Sequence, residues 1–314
     1  MPTAEPTLAA LPNPALRYLL ATRLPFLSVT LVATLIGLAV SFWTGVELSP
    51  STALLTVVFA LVAHAGVNVL NDYYDARNGT DAINTERIFP FTGGSRFIQN
   101  GVLSERETGL FGAALFAVVV PAGLWLAAHS GPELVRIGLA GLIVGWAYSA
   151  PPLKLNSRGV GELCVWFGFA LIVVGSDFVQ RGTLSSAPWI AAAAYALLVT
   201  NILFINQFPD RRADEAVGKR HWVVRLGVER SRVVYALIAA IAYGWVAVAV
   251  IGGMLPVVAL AALLPALLSY KAASIVWREA ASPARLAPAI PLTIASATLH
   301  GALLAAALVL ARWL

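Results

Sequence analysis

Charged residues are scarce in this chain. Only 12% of its 314 residues are Asp, Glu, Lys or Arg, whereas an ordinary soluble domain has ~25%. Apolar residues make up 59%, and the mean hydropathy is +0.79. Soluble globular enzymes, disordered chains and nucleic-acid-binding modules all carry more charge than this. The composition therefore excludes these three classes.

Cysteine is almost absent. Cys164 is the only one, which excludes an intrachain disulfide and any zinc or iron–sulfur site built from several cysteines. The net charge of +5 does not indicate a nucleic-acid partner, because the basic residues lie in the segments between apolar runs. The first 22 residues contain four prolines and no long apolar run, which is typical of a cytoplasmic N-terminal tail.

Long apolar runs dominate the rest of the chain. Each is about 20 residues long, the length that spans a bilayer, and each is predicted to be helical because backbone amides in hydrocarbon must bond internally. The nine segments are 24–44, 51–70, 108–128, 133–150, 160–180, 187–206, 233–251, 254–272 and 287–311. We therefore expect an all-α membrane bundle of about nine transmembrane helices, a single domain over residues 1–314 that begins with the tail 1–22.

The basic residues predict the orientation of this bundle. With the N-terminus in the cytoplasm, 18 of the 21 Lys and Arg residues lie on the inner side, and Arg136, Arg181 and Arg312 lie outside. Cytoplasmic loops carry such an excess of positive charge. Two inner loops, 71–107 and 207–232, are long, and functional residues are concentrated in loops of this kind.

The first long loop begins with a cluster of acids and amides. If the helix of the second span continues through it, Asn68, Asp72 and Asp75 are spaced at i, i+4 and i+7. This spacing predicts an amide and two carboxylates on one helical face. Gly79 would then end the helix.

The second long loop begins with a similar cluster. Asp210 and Asp214 are spaced at i and i+4, again on one helical face, and Gly218 follows four residues later. Two acidic faces at the inner mouth of a helical bundle need a positive counter-charge. For either cluster alone, the alternative is ordinary charge at the membrane surface.

The chemistry that suits both clusters is a magnesium-bound diphosphate. Mg²⁺ binds one or two carboxylates together with substrate phosphates, and basic side chains bind the remaining phosphate oxygens. The candidate diphosphate-binding residues near the clusters are Arg77, Arg96, Lys154, Arg211, Arg212, Lys219 and Arg220.

Two further features belong to the same inner surface. The segment Gly93-Gly94-Ser95-Arg96 has the composition of a backbone amide nest for phosphate, with an arginine behind it. Tyr73 and Tyr74 offer aromatic faces to a cation, although packing within the loop explains them equally well.

These motifs resemble the UbiA superfamily of intramembrane aromatic prenyltransferases. The first family motif, N-x-x-x-D-x-x-D, matches Asn68, Asp72 and Asp75. The second family motif, D-x-x-x-D-x-x-x-G-K-R, matches Asp210, Asp214, Gly218, Lys219 and Arg220. A loop motif matches Tyr148, Ser149, Pro152 and Lys154. The resemblance covers about residues 17–310.

Within the superfamily the sequence looks most like the MenA branch, which prenylates 1,4-dihydroxy-2-naphthoate in menaquinone synthesis. Both the run from Asn71 to Asp81 and the Gly-Gly-Ser-Arg segment favour this branch. Many superfamily members have a further aspartate four residues after the position of Asp75. This chain has Gly79 there and Asp81 two residues later, which argues against a 4-hydroxybenzoate acceptor.

The resemblance implies two Mg²⁺ ions that hold the diphosphate of an allylic polyprenyl donor while an electron-rich aromatic acid attacks the carbon that it leaves. The implied catalytic residues are Asp72, Asp75, Asp210 and Asp214, which with Asn68 are also the metal ligands. The implied diphosphate-binding residues are Arg77, Arg96, Lys154, Arg211 and Lys219. The residues implied for the acceptor or the carbocation are Tyr73, Tyr148 and Arg96.

Two alternatives remain at this point. The acceptor of a prenyltransferase would instead be 4-hydroxybenzoate or another quinone or tetrapyrrole precursor. A cation-coupled secondary transporter also uses intramembrane carboxylates, but it concentrates them near the bilayer midplane. In this chain the carboxylates lie at the inner mouth of the helical bundle.

Overall fold

Twelve α-helices make up the fold in the computed structural model, which describes residues 4–314. No residue in that range lies in a β-strand, which confirms the predicted all-α class. In chain order the helices are α1 (Pro14–Ala21), α2 (Leu24–Trp43), α3 (Pro50–Asn78), α4 (Thr80–Ile83), α5 (Glu105–Ser130), α6 (Glu133–Ser149), α7 (Gly161–Arg181), α8 (Ala187–Ala216), α9 (Trp222–Ile251), α10 (Ala266–Glu279), α11 (Pro283–Leu286) and α12 (Ala289–Ala311). Two short 3₁₀ helices, Leu155–Arg158 and Val257–Leu263, complete the set.

The membrane-spanning helices follow the predicted apolar runs. Within the described residues, eight helical segments are long and apolar enough to cross a bilayer. The ninth predicted span, 133–150, forms α6, whose 17 residues lie at the short end of the length that crosses a bilayer. The protein is a multi-pass integral membrane protein.

The two long loops are shorter than predicted because the helices before them continue. Helix α3 extends to Asn78 and ends at Gly79, whose φ of 85° places it in the left-handed region that glycine adopts readily. Helix α8 continues to Ala216, and α9 already begins at Trp222. Most of the predicted loop 207–232 is therefore helical, and both acidic clusters lie on helices.

The core lies between α2, α7, α8 and α12. Small residues let these helices approach closely. A Cβ at Gly37 of α2 would lie 2.3 Å from the Val173 carbonyl oxygen of α7, and one at Gly301 of α12 would lie 2.5 Å from the Tyr195 ring of α8. Helix α3 packs on α2 and α5 and lies across a cavity from α8, so the two helices that carry the acidic clusters face each other.

Residues 84–103, between α4 and α5, form an irregular segment that we call the cap loop. Its apolar side chains Phe97, Val102 and Leu103 are buried together with Leu11 and Ala21 of the N-terminal segment. The predicted tail 1–22 is thus, from residue 4 onward, a folded part of the protein that contains α1 and packs on the cap loop.

Candidate active site

A cavity with a volume of about 340 Å³ lies between α2, α3, α6, α7 and α8. Its deep part is apolar, with walls such as Val29, Ala63, Phe169 and Ile202. Its other end is strongly polar and is roofed by the cap loop. The polar end is lined by Asn68, Asn71, Asp75, Asp81, Asp210, Asp214, Lys219 and His221. A site of this shape suits a ligand with a charged head and a hydrocarbon tail.

The first acidic cluster lies on α3, where Asn68 and Asp75 line the cavity and Asp72 lies outside its lining. Asp72 is 3% exposed, and its Oδ2 accepts a hydrogen bond from the backbone amide of Ser95 at 3.2 Å. One turn further on, Asp75 Oδ1 accepts a hydrogen bond from Asn78 Nδ2 at 3.0 Å, and Asp75 Oδ2 accepts one from Asn71 Nδ2 at 3.3 Å.

The second acidic cluster lies opposite, on α8. Asp210 Oδ1 accepts a hydrogen bond from Asn84 Nδ2 at 2.6 Å, and its Oδ2 accepts one from the backbone amide of Gly93 at 3.4 Å. Asp214 Oδ2 lies 3.0 Å from His221 Nε2. The cap loop therefore bonds to Asp72 through Ser95 and to Asp210 through Gly93, so it joins the two clusters.

Lys219 connects the clusters directly. Its ammonium lies 2.8 Å from Asp75 Oδ1 and 3.2 Å from Asp214 Oδ1. Although burial lowers the pKa of Lys219, the carboxylates of Asp75 and Asp214 outweigh this effect and raise it above its usual value. The ammonium therefore stays charged at neutral pH.

Asp81, in α4 beneath the cap loop, adds a fifth carboxylate to this region. Burial, followed by the negative charges of Asp75 and Asp72, raises the pKa of Asp81 well above its ordinary value. A Cβ at Gly94 would lie 2.4 Å from Asp81 Oδ2 and 3.3 Å from Asp72 Oδ1. The cap loop can cover these two carboxylates because it has no side chain at this position.

The polar end has more negative than positive charge. Five carboxylates gather there, and among the described Lys and Arg residues only Arg23 and Lys219 approach Asp72, Asp75 or Asp214 within 4.0 Å. Asp72 Oδ1 is buried without a hydrogen-bond donor, and Asp214 Oδ1 has only the Lys219 ammonium beside it, at 3.2 Å. Hard oxygen ligands with unused lone pairs fit Mg²⁺.

These protein ligands do not form a complete cage for an ion. In residues 4–314, no three His, Cys, Asp or Glu side chains are arranged to hold a metal by themselves. Mg²⁺ commonly binds one or two carboxylates and takes its other ligands from water and substrate phosphate. The residues therefore fit an ion that binds together with a phosphorylated substrate.

The other predicted site residues divide into two groups. Asn68, Tyr148 and Lys219 line the cavity. Tyr73 instead faces Gly109 of α5, and its hydroxyl accepts a hydrogen bond from Arg77.

Four of the predicted basic residues lie away from the cavity lining, and one of them is Arg77, which bonds to Tyr73. Lys154 is exposed in the turn after α6, and Arg211 is half-buried on α8. Arg96 is 7% exposed, and its guanidinium donates to the carbonyl of Asp81 beneath the cap loop. The Gly93–Arg96 segment likewise directs two of its amides to carboxylates.

Three residues of the site were not found from the sequence. Arg23 lines the cavity, and its NH1 lies 3.8 Å from Asp72 Oδ1. Asn84 bonds to Asp210, and His221 bonds to Asp214. Only His221 had a sequence signal, because it directly follows the motif that contains Lys219. Arg23 and Asn84 are distant in sequence from the residues that they contact.

The sequence has clear relatives. A profile described as the UbiA prenyltransferase family matches residues 30–297. The chain is similar to the 1,4-dihydroxy-2-naphthoate octaprenyltransferase of Escherichia coli (strain K12), with 29% identity over 295 residues, 91% of this chain and 93% of the relative. It is also 31% identical over 193 residues to the protein of the same name from Mycobacterium tuberculosis (strain ATCC 25618 / H37Rv), covering 60% of this chain and 63% of the relative.

Its fold matches a solved structure. The UbiA homolog from Archaeoglobus fulgidus bound to DMAPP and Mg²⁺ superposes with a TM-score of 0.62 at 20% identity. The match covers 92% of this chain and 99% of that structure. The overall architecture is therefore shared despite the low identity.

Proposed function

Because the chain belongs to the UbiA prenyltransferase family, we propose that it transfers a polyprenyl group from an allylic diphosphate to an aromatic acid. The observation that carries this proposal is the meeting of Asp75 and Asp214, from opposite helices, on the ammonium of Lys219. This polar end continues into an apolar cavity. A diphosphate and its hydrocarbon tail match these two environments.

The aspartates act as metal ligands in this proposal. Asp72 and Asp75 on α3, with Asn68, would hold one Mg²⁺, and Asp210 and Asp214 on α8 would hold a second. When bound, the ions neutralise the charge that develops on the departing diphosphate. The homolog whose structure was solved with DMAPP and Mg²⁺ shares this fold and supports the choice of metal.

The remaining residues orient the reactants. Lys219 contributes positive charge beside the aspartates and would bind diphosphate oxygens. The allylic C–O bond breaks, its electron pair leaves with the diphosphate, and the aromatic ring forms the new bond to the freed carbon. The attacked ring carbon then releases the group that it carried, as a proton or as CO₂, and the ring becomes aromatic again. The ring of Tyr148 lines the cavity and would stabilise the cationic carbon through its π face.

The acceptor that we propose is 1,4-dihydroxy-2-naphthoate. Relatives named for this acceptor cover most of the chain, including the Escherichia coli protein at 93% of its own length. Arg23 is a candidate partner for the carboxylate of the acid, because its Nε is buried without a hydrogen bond in a residue that lines the cavity.

The whole chain acts as one membrane domain in this proposal, with the N-terminus and the polar mouth of the cavity facing the cytoplasm. The distribution of basic residues, 18 inside and 3 outside, supports this orientation. The polyprenyl tail would leave the apolar part of the cavity between helices and enter the lipid.

The test is a prenyl-transfer assay on membranes that contain the protein. Radiolabelled polyprenyl diphosphate is supplied with either 1,4-dihydroxy-2-naphthoate or 4-hydroxybenzoate, with Mg²⁺ or with a chelator. We expect a labelled lipid product with the naphthoate and Mg²⁺ only. Product with the benzoate alone would contradict the acceptor, and no product with any aromatic acid would contradict prenyl transfer.

A further inference from the structure

One carboxylate of the N-terminal segment, that of Glu5, contacts three side chains of the cap loop. Glu5 Oε1 accepts hydrogen bonds from Arg87, with distances of 2.7 Å to Nε and 2.6 Å to NH2. Glu5 Oε2 lies 3.2 Å from Asn100 Nδ2 and 3.6 Å from Arg96 Nε. Three cap-loop side chains that are up to 13 residues apart thus meet on one residue of the N-terminal segment.

The contact between Glu5 and Arg87 connects the N-terminal segment to the second acidic cluster. Arg87 donates from NH1 to the carbonyl of Asn84 at 2.6 Å, and Asn84 Nδ2 donates to Asp210 Oδ1. The stem of Arg87 also packs on Gly93, where an added Cβ would lie 2.6 Å from Arg87 Cβ. Two of the cap-loop donors to Asp210, Asn84 and Gly93, are therefore in contact with Arg87.

The contact between Glu5 and Arg96 connects the N-terminal segment to the first acidic cluster. Arg96 is held between Glu5 and the carbonyl of Asp81 and has a positive φ of 67°. Its neighbour Ser95 donates its backbone amide to Asp72 Oδ2. The position of Arg96 therefore determines whether this amide points at the carboxylate.

The contacts differ from an ordinary surface ion pair. The exposed fractions of the Glu5, Arg87 and Arg96 side chains are 28%, 26% and 8%. Among residues 4–314, no other carboxylate lies within 4.0 Å of either guanidinium. Burial raises the pKa of Glu5, but hydrogen bonds from Asn100 and Arg87 outweigh this effect and lower the pKa. The Glu5 carboxylate is therefore charged at neutral pH.

We infer that Glu5 is a positioning residue for the metal site: through Arg87 and Arg96 it holds the cap loop so that Asp72 and Asp210 keep the orientation that binds Mg²⁺. Glu5 itself does not line the cavity. The inference depends on the proposed function in one respect, since it takes these two aspartates as Mg²⁺ ligands. It adds that the N-terminal segment is part of the active-site architecture.

The test uses the full-length protein in lipid nanodiscs, with Glu5→Gln beside the wild type. The control is Glu47→Gln, which removes an exposed carboxylate between α2 and α3, away from the cap loop. Removing a group that orients metal ligands weakens metal binding by 10–100-fold. Because Glu5 acts through two residues, we expect about a three- to tenfold rise in the Mg²⁺ concentration that gives half-maximal activity. The kcat at saturating Mg²⁺ should stay near the wild-type value.

Two further measurements separate positioning from general stability. Binding of Mn²⁺, followed by electron paramagnetic resonance with inorganic diphosphate present, should weaken by the same factor in Glu5→Gln. Hydrogen–deuterium exchange of the cap-loop amides should accelerate, while exchange in α9 and α12 stays unchanged. The double variant Glu5→Gln/Arg87→Gln should lose less Mg²⁺ affinity than the sum of the two single losses, because the Glu5–Arg87 contact is common to both variants.

The outcomes are distinct. Unchanged Mg²⁺ and Mn²⁺ dependence in Glu5→Gln, or an equal change in Glu47→Gln, would overturn this inference while leaving prenyl transfer intact. Faster exchange throughout the protein would also overturn it, because Glu5 would then act only on global stability. If the wild type needs no divalent ion for prenyl transfer, the metal assignment of the proposed function fails instead.

Discussion

The ammonium of Lys219 lies 2.8 Å from the Oδ1 atom of Asp75, although the two residues are 144 positions apart. The same ammonium lies 3.2 Å from Asp214 Oδ1, and all three side chains are at most 14% exposed. One cation therefore compensates carboxylates from α3 and α8 at the place where we propose that diphosphate and Mg²⁺ bind.

Replacing Lys219 by Met should destabilise the protein and make its stability depend on Mg²⁺. Removing one partner of a buried ion pair leaves an uncompensated charge, and we expect a loss of about 3 kcal/mol in the free energy of unfolding. Mg²⁺ should recover part of this loss because it binds the freed carboxylates. Thermal unfolding with Mg²⁺ and with a chelator measures both effects. The matched control is Lys154→Met, an exposed lysine; equal behaviour of the two variants would refute the prediction.

Single substitutions Asp72→Asn and Asp210→Asn should each lower prenyl transfer at least about tenfold, since each removes a full charge from a metal ligand. Chelation should abolish turnover in the wild type, and added Mg²⁺ should restore it. Steady-state kinetics over a range of Mg²⁺ concentrations is the measurement, with Glu229→Gln, on an exposed face of α9, as the control. Full activity of the double variant Asp72→Asn/Asp210→Asn would be incompatible with the metal assignment.

Two glycines of the cap loop provide a matched pair. Gly94 and Gly101 both have positive φ, 73° and 65°, so Ala at either position costs about 1–2 kcal/mol of backbone strain. Only at Gly94 would the new Cβ overlap a carboxylate, whereas nothing lies within 4 Å at Gly101. Gly94→Ala should therefore lower Mg²⁺ affinity in a Mn²⁺ binding assay, and Gly101→Ala should not. A similar affinity in both variants would mean that the cap loop does not control the aspartates.

The orientation in the membrane can be tested with introduced cysteines. Glu47→Cys and Arg220→Cys both lie at exposed positions, and the native Cys164 is buried. A membrane-impermeant thiol reagent added to intact cells should label position 47 and not position 220, because we place the polar mouth in the cytoplasm. After the cells are broken, both positions should react. Labelling of position 220 in intact cells would reverse the orientation.

Local patterns in the sequence were sufficient to predict the class of fold and the two acidic clusters. Long apolar runs require helices in a bilayer, and a helical repeat of 3.6 residues places Asp72 and Asp75, or Asp210 and Asp214, on one face. The helix ends were harder to predict, because the apolar signal stops before α3 and α8 do. Beyond the apolar residues, both helices continue as polar turns. The side chains of these turns bond to residues on the other side of the cavity.

The sequence by itself determined which residues carry the charge and which helices present them; the tertiary structure alone decided what those residues contact. Arg96 is basic and follows two glycines, yet it binds the Asp81 carbonyl and Glu5 and does not line the cavity. Three other residues gain their roles from distant contacts. Arg23 contacts Asp72, 49 positions away. Asn84 contacts Asp210, 126 positions away, and Glu5 contacts Arg87, 82 positions away. Spacing along a helix reports only neighbours within two turns, whereas contacts between distant segments depend on how the helices and the cap loop pack.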